Sequence, residues 1–191
     1  MKFKARFVAM GYTQKFGVDY TETFAGVMIG KSFRIMLGIL NEDPTHELEH
    51  WDVRMAFTQA KLEEEIYMHQ PELFEDRPDD FVCQLIKSLY GLKQSAKNWR
   101  GMAHNIFLAA GFTPLKSDPC VYIRRVGNAW CICSIHVDDI FVLFNKAGRK
   151  FRDILFAQFS GEVEIENLGT GHLGLQDSSG DLEDLSRDIH Q

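Results

Sequence analysis

Two short apolar runs on either side of a pair of adjacent carboxylates constrain this fold more than any other part of the chain. They lie in residues 130–144 (WCICSIHVDDIFVLF), which contain no Gly or Pro. Each run has the length and the β-branched, aromatic composition of a buried strand rather than a helix. The stretch therefore predicts a β-hairpin whose tight turn carries His136, Val137, Asp138 and Asp139.

The adjacent Asp138 and Asp139 need a chemical explanation in such a setting. Placing two ionised side chains beside an apolar strand pair is costly unless something compensates, and a divalent cation is a common compensator. Clustered carboxylates supply the hard oxygen ligands that suit Mg²⁺. The simpler alternative is that the pair only forms the turn, because Asp tolerates turn backbones well.

Length and composition predict one packed domain, with a small lobe as the alternative, and the cysteines and the lack of a membrane-spanning run predict a soluble, intracellular protein. The chain has 191 residues, 45% of them hydrophobic, with 15 Phe and 3 Trp, which is enough for a proper core. The formal net charge of −6 counts mildly against a nucleic-acid binder. The four cysteines lack zinc-ligand spacing and are interpreted as reduced core residues. We see no signal peptide and no apolar run of membrane-spanning length, so a secreted or membrane protein is not expected.

Periodicity predicts an α+β fold with a mixed, mostly antiparallel sheet and helices packed mainly on one face. The predicted strands are residues 2–11, 48–57, 120–125 and 129–135, with shorter ones near 66–71 and 81–86. The predicted helices are one capped by Ser32, one over 96–110 that ends at Gly111, and one over 150–159. Residues 177–191 are acidic and poor in apolar side chains, which predicts a disordered tail.

Asp52 lies near the centre of the predicted strand 48–57, where propensity disfavours Asp. One interpretation places it at a sheet edge facing water. The other places it opposite the Asp138-Asp139 hairpin in a shared sheet.

A series of short phrases, in order along the chain, resembles the reverse transcriptase domain of copia-type LTR retrotransposons. The phrases are KARFVAMGYTQ (4–14), DYTETF (19–24), DVRMAF (52–57), LEEEIYMHQP (62–71), KSLYGLKQS (87–95), SDPCVY (117–122) and HVDD (136–139). The resemblance covers residues 4–176 and implies a polymerase palm with partial fingers over 1–176, followed by the acidic tail. The preceding finger strands and a thumb are not expected in this chain.

The resemblance implies an RNA-directed DNA polymerase whose catalytic carboxylates are Asp52, Asp138 and Asp139. In this family two Mg²⁺ ions about 4 Å apart, with Mn²⁺ as a substitute, activate a primer 3′-hydroxyl and steady the leaving pyrophosphate. Side chains alternate along a strand, so we expect Asp52 and Asp138 to be the principal ligands, with Asp139 supporting.

The resemblance also implies substrate contacts and partners. Lys4 and Arg6 correspond to positions that contact the incoming triphosphate, and Phe57 to the residue that excludes a ribose 2′-hydroxyl. Gln94 corresponds to a glutamine beside the nucleotide sugar, and His136 replaces the family's usual Tyr near the primer. The implied partners are an RNA or DNA template with its primer, deoxynucleoside triphosphates and other parts of a retrotransposon polyprotein. The implied compartment is the cytoplasm, in a virus-like particle, or the nucleus.

Two other functions are compatible with the same residues. The chain could be a truncated, catalytically inactive remnant that binds nucleic acid or protein. It could also be a small metal-dependent phosphohydrolase that uses the same carboxylates, although it lacks a His-rich site.

Overall fold

The structure is a computed structural model that describes residues 6–71, 74–76 and 80–170. The predicted disordered tail and Lys4 lie outside these residues. The helices are α1 (Gly30–Glu42), α2 (Ala56–Gln59), α3 (Ser95–Ala109) and α4 (Arg149–Glu162). The strands are β1 (Glu47–Val53), β2 (Lys61–Met68), β3 (Cys83–Lys87), β4 (Thr113–Pro114), β5 (Val121–Val126), β6 (Ala129–His136), β7 (Asp139–Phe144) and β8 (Ile165–Gly169).

The chain divides into two compact units. Unit 1 comprises Met1–Gly26 and Met55–Asn105, and unit 2 comprises Val27–Arg54 and Ile106–Gln191. Within the described ranges, no helix combines the length and the apolar character needed to cross a membrane.

Unit 2 is built on a six-stranded sheet in the order β4-β5-β6-β7-β1-β8. Every neighbouring pair is antiparallel. β1 is an interior strand between β7 and β8, so the interpretation that Asp52 sits on an edge strand is wrong. The prediction of an α+β fold with a mostly antiparallel sheet is confirmed.

Helices contact both faces of this sheet. On one face, Phe107 from the end of α3 stacks on Tyr122 with ring centroids 4.0 Å apart and meets Phe159 of α4 at 5.1 Å. Trp51 of β1 packs edge-on against Phe156 of α4 at 5.0 Å. On the opposite face, α1 covers one end of the sheet with a cluster built on Met36, Leu48 and Leu143.

A buried carboxylate joins three elements of unit 2. Oε2 of Glu49 in β1 lies 2.7 Å from Nη2 of Arg152 in α4, and it also accepts a hydrogen bond from Nε of Arg152 at 2.8 Å. The same oxygen accepts hydrogen bonds from the Trp51 indole at 2.8 Å and from the Asn167 amide of β8 at 2.9 Å. Because a buried charge is tolerated only when it is paired and hydrogen-bonded, this cluster fixes α4 and β8 against β1.

Unit 1 contains the two-stranded sheet β2-β3, α2 and the greater part of α3. Its N-terminal segment approaches the loop before α3 closely: Ala9 N–H donates to Tyr90 C=O at 2.7 Å. A Cβ on Gly11 would lie 1.9 Å from the Gly91 carbonyl oxygen, and Gly91 has a φ of +92°. Both positions therefore require glycine.

Several local features differ from the expectations. The strand predicted over 48–57 ends at Val53, and Ala56–Gln59 is helical. Residues 6–10 of the predicted N-terminal strand do not form a strand, and Ala9 N–H bonds the Tyr90 carbonyl instead. Ser32 is not the cap of α1: the N-cap is Ile29, and the Ser32 hydroxyl donates to the buried Asp118 at 2.6 Å. β8 was not predicted.

Replacing Arg152 with Leu should lower the free energy of unfolding by about 3 kcal/mol, because Glu49 would stay buried without its cationic partner. The side chains of this pair are only 18% and 12% exposed. The matched control is Arg149→Leu, which removes an ion pair with Glu47 whose side chains are 55% and 34% exposed and should cost less than about 1 kcal/mol. Urea unfolding measures both, and equal costs would contradict the role of the buried cluster.

Candidate active site

The register of β1 and β7 brings the predicted carboxylates together within unit 2. Asp52 of β1 lies directly opposite Asp139 of β7. Directly opposed residues of an antiparallel pair project to the same face, so these two side chains share one face of the sheet. Asp138 lies in the turn between β6 and β7, and all three residues are partly exposed. Cations in solution can therefore reach all three carboxylates.

The hairpin turn that carries Asp138 is strained and tied to β1. It consists of Val137 and Asp138, and Val137 has a φ of +57°. A β-branched residue rarely adopts this left-handed conformation, which costs on the order of 1–3 kcal/mol and persists only where the surroundings enforce it. Here β6 and β7 pair up to His136 and Asp139, and the Asp138 carbonyl accepts a hydrogen bond from Val53 N–H at 2.9 Å.

The carboxylates repel one another. Burial raises the pKa of Asp52 above its usual value, and the negative charges of Asp138 and Asp139 raise it further, with Asp138 the stronger of the two. Glu166, opposite Asp52 in β8, acts in the same direction. The site therefore has a local excess of negative charge.

Sequence reasoning missed His50, which belongs to the same cluster. Its Nε2 lies 2.6 Å from Oδ1 of Asp139. The signal that could have found it is its position two residues before Asp52, because residues i and i+2 of a strand share a face. His50 is thus an additional residue of the site and a hydrogen-bond partner of Asp139.

The donor set fits a hard divalent cation, although the ligands are not gathered into a finished centre. In the part of the chain that the structure describes, no group of three or more His, Cys, Asp or Glu side chains is close enough to be a metal site. The accumulated negative charge and the carboxylate oxygens are the chemistry that Mg²⁺ prefers. The arrangement could therefore gather around a cation, which would offset the repulsion that raises the pKa of Asp52.

Two other predicted residues meet at one ring in unit 1. The Arg6 guanidinium carbon lies 5.7 Å from the centroid of the Tyr90 ring. The ring centroids of Phe57 and Tyr90 are 5.2 Å apart. Tyr90 was not predicted as a functional residue. Its position within the phrase KSLYGLKQS was the available signal.

Gln94 is fully buried in unit 1, and both ends of its amide are bonded. Its Nε2 donates to the Asp19 carbonyl at 2.9 Å, and its Oε1 accepts from Gln14 at 3.0 Å. Gln14 in turn accepts from Lys93 N–H at 2.8 Å. In this structure the glutamine therefore holds the 14–19 loop against the start of α3.

Comparison with known proteins identifies the family. A family model described as "Reverse transcriptase (RNA-dependent DNA polymerase)" matches residues 1–172. The chain belongs to this family. The reverse transcriptase domain is of the copia type, as its phrases predicted.

Several similar proteins are long polyproteins. The domain is 40% identical over 146 residues to the Retrovirus-related Pol polyprotein from transposon RE2 of Arabidopsis thaliana, covering 75% of this chain and 10% of that protein. It is 38% identical over 175 residues to the corresponding polyprotein from transposon TNT 1-94 of Nicotiana tabacum, covering 88% and 13%. It is 29% identical over 181 residues to the Transposon Ty1-DR1 Gag-Pol polyprotein of Saccharomyces cerevisiae, covering 91% and 10%.

The chain thus spans about a tenth of the length of these relatives. No solved structure gives a significant match to it.

Replacing Asp52 with Asn should raise the melting temperature at neutral pH in the presence of EDTA, because the amide removes the repulsion with Asp138 and Asp139. The pKa of Asp52 is higher in the folded chain than its ordinary value of 3.8. Between pH 3.8 and the raised pKa of Asp52, the folded state therefore binds more protons than the unfolded state. The free energy of unfolding falls as the pH rises through this range. The gain from Asp52→Asn should vanish well below pH 3.8, where Asp52 is protonated.

The control for this measurement is Asp43→Asn, which should have the opposite sign. A hydrogen bond from Thr45 N–H lowers the pKa of Asp43, so its stabilising effect is present at neutral pH and is lost as the pH falls through the lowered pKa. A lower melting temperature for Asp52→Asn at neutral pH would contradict the electrostatic account of the site.

Replacing Gln94 with Leu should cost about 1–3 kcal/mol of unfolding free energy, because Gln14 and the Asp19 carbonyl would lose buried partners. Gln84→Leu on the exposed side of β3 is the control and should change stability by less than about 0.5 kcal/mol. Chemical denaturation compares the two. Equal stability of both variants would mean that the Gln94 hydrogen bonds do not hold unit 1 together.

Proposed function

We propose that this domain catalyses template-directed transfer of deoxynucleotides to a primer 3′-hydroxyl, with Asp52, Asp138 and Asp139 binding Mg²⁺. The observation that carries the proposal is the β1–β7 register, which brings carboxylates from an interior strand and a hairpin turn into one repelling group. The family motif makes Asp52 and Asp138 the principal ligands, and burial followed by the charge of Asp138 raises the pKa of Asp52. Asp139 supports them, since its Oδ1 is already bonded to His50.

The cation would polarise the reacting oxygens and neutralise the developing charge, which carboxylates alone cannot do. The protein's contribution is to hold the ligands in place. Asp52 is fixed within the interior of the sheet, and Asp138 is fixed by the strained turn and by the bond from Val53 to its carbonyl. Because the backbone at both residues is held, only their side chains have to turn when the carboxylates gather around a cation.

The assignment of the proposed nucleotide contacts rests on the family motifs. Arg6 and Lys4 would bind the triphosphate, for which a permanently charged guanidinium is well suited. Phe57 would exclude a ribose 2′-hydroxyl, and its contact with Tyr90 restricts the ring. Gln94 would lie beside the sugar, although a direct contact requires it to exchange one of its present hydrogen bonds.

The proposed partners follow from this chemistry and from the similar polyproteins. They are an RNA or DNA template with its primer, deoxynucleoside triphosphates and other parts of a Pol polyprotein. His136, which is exposed at the end of β6, would lie near the primer. The proposed compartment is the cytoplasm, within a virus-like particle, or the nucleus.

Primer extension tests the proposal. With oligo(dT) on poly(rA), dTTP and Mg²⁺ or Mn²⁺, the wild type should extend the primer and Asp138→Asn should not, because the neutral amide removes one of the two principal ligands. Circular dichroism should show the same folded spectrum for both.

Phe57→Val should keep the extension of DNA and increase the incorporation of ribonucleotides, since the smaller side chain leaves room for the 2′-hydroxyl.

Equal extension by the wild type and Asp138→Asn would contradict the assignment of the carboxylates. No extension by the wild type, together with salt-sensitive binding of primer–template, would instead favour a domain that binds nucleic acid without catalysis.

A further inference from the structure

His50 has a place in the carboxylate group that none of the family phrases assigns. It lies on β1 two residues before Asp52, and both side chains project to the same face. Its Nε2 is 2.6 Å from Oδ1 of Asp139, the residue directly opposite Asp52. Because an ionised carboxylate only accepts hydrogen bonds, Nε2 carries a proton and donates it to this bond.

The imidazole ring is held in a single orientation. It stacks on Phe141 of β7 with ring centroids 4.8 Å apart and an interplanar angle of 19°. Phe141 in turn packs against Phe33 of α1 at 4.8 Å. The His50 side chain is only 14% exposed, so the ring cannot turn away from Asp139 without disturbing this aromatic stack.

The other ring nitrogen has no role in holding the fold. Nδ1 of His50 is buried and has no hydrogen-bond partner among the described residues. A buried polar atom without a partner costs free energy, and native structures keep few of them. His50 therefore leaves Nδ1 unpaired while Nε2 makes a short bond to Asp139. This combination indicates that the histidine holds the Asp139 carboxylate in position.

We propose that His50 is a positioning residue that fixes the Asp139 carboxylate and thereby sets the cation affinity of the group formed by Asp52, Asp138 and Asp139. The inference rests on the proposed function. The bond from Nε2 spreads the charge of Asp139 and prevents its carboxylate from rotating in the field of Asp52. Losing a hydrogen-bond partner of this kind typically weakens metal binding about 10- to 100-fold.

Mn²⁺ binding to the full chain, measured by electron paramagnetic resonance, tests the proposal without any need for polymerase activity. His50→Phe keeps an aromatic ring against Phe141 and removes the donor, so it should weaken Mn²⁺ binding about tenfold or more. His50→Gln keeps an N–H donor of similar reach and should recover most of the affinity. A purely structural role would predict that the affinity follows the melting temperature, so the melting temperature of each variant is recorded alongside.

A double-mutant cycle shows whether His50 acts through Asp139. In the background of Asp139→Asn, the additional change His50→Phe should have little further effect on Mn²⁺ affinity. Equal losses in both backgrounds would overturn the proposal, because His50 would then act independently of its partner.

A spectroscopic measurement on the wild type keeps the test independent of how the variants fold. Nitrogen-15 spectra of labelled histidine should show His50 with its proton on Nε2, and Asp139→Asn should shift that signal. A proton on Nδ1 alone would overturn the proposal.

Failure of this inference differs from failure of the proposed function. Unchanged Mn²⁺ affinity in His50→Phe, with a loss in Asp138→Asn, would overturn the role of His50 and leave the carboxylate site intact. A wild type that does not bind Mn²⁺ at all would contradict the proposed function and this inference with it.

Discussion

The antiparallel register between β1 and β7 is the constraint on which the rest of this domain depends. It sets Asp52 opposite Asp139 and gives the hairpin turn a partner in Val53. A shift of one residue would send Asp52 to the opposite face of the sheet, where Trp51 now packs against α4. The same pairing that builds the core thus assembles the carboxylate group, and it does so although the charges repel.

Two features stabilise this unfavourable arrangement from opposite faces of β1. On the face that carries Trp51, Glu49 is held by Arg152 and Asn167, which attaches α4 and β8 to the strand. On the face that carries Asp52, His50 forms a hydrogen bond to the carboxylate of Asp139. The strain at Val137 and the repulsion that raises the pKa of Asp52 both lower the stability of the fold, and the packing of the sheet offsets them. Such local destabilisation is common at functional sites.

The sequence predicted the parts of this arrangement that depend on local pattern. The apolar runs around Asp138 and Asp139 defined the hairpin, and the family phrases placed Asp52 opposite it. β8 escaped prediction because its inward-facing Asn167 binds Glu49 rather than an apolar core, so the usual alternation is absent. The roles of His50 and Glu49 also could not be predicted, because they depend on contacts with residues that are distant in sequence and fixed only by the strand register.

The most direct test of the account is to locate a bound cation. Crystals of the domain grown with Mn²⁺, and measured at a wavelength where manganese scatters anomalously, would show where the ion binds. The expected result is an anomalous peak coordinated by the carboxylates of Asp52 and Asp138, which is lost in Asp138→Asn. A well-ordered site without a peak at saturating Mn²⁺, or a peak that does not involve Asp52, would contradict it.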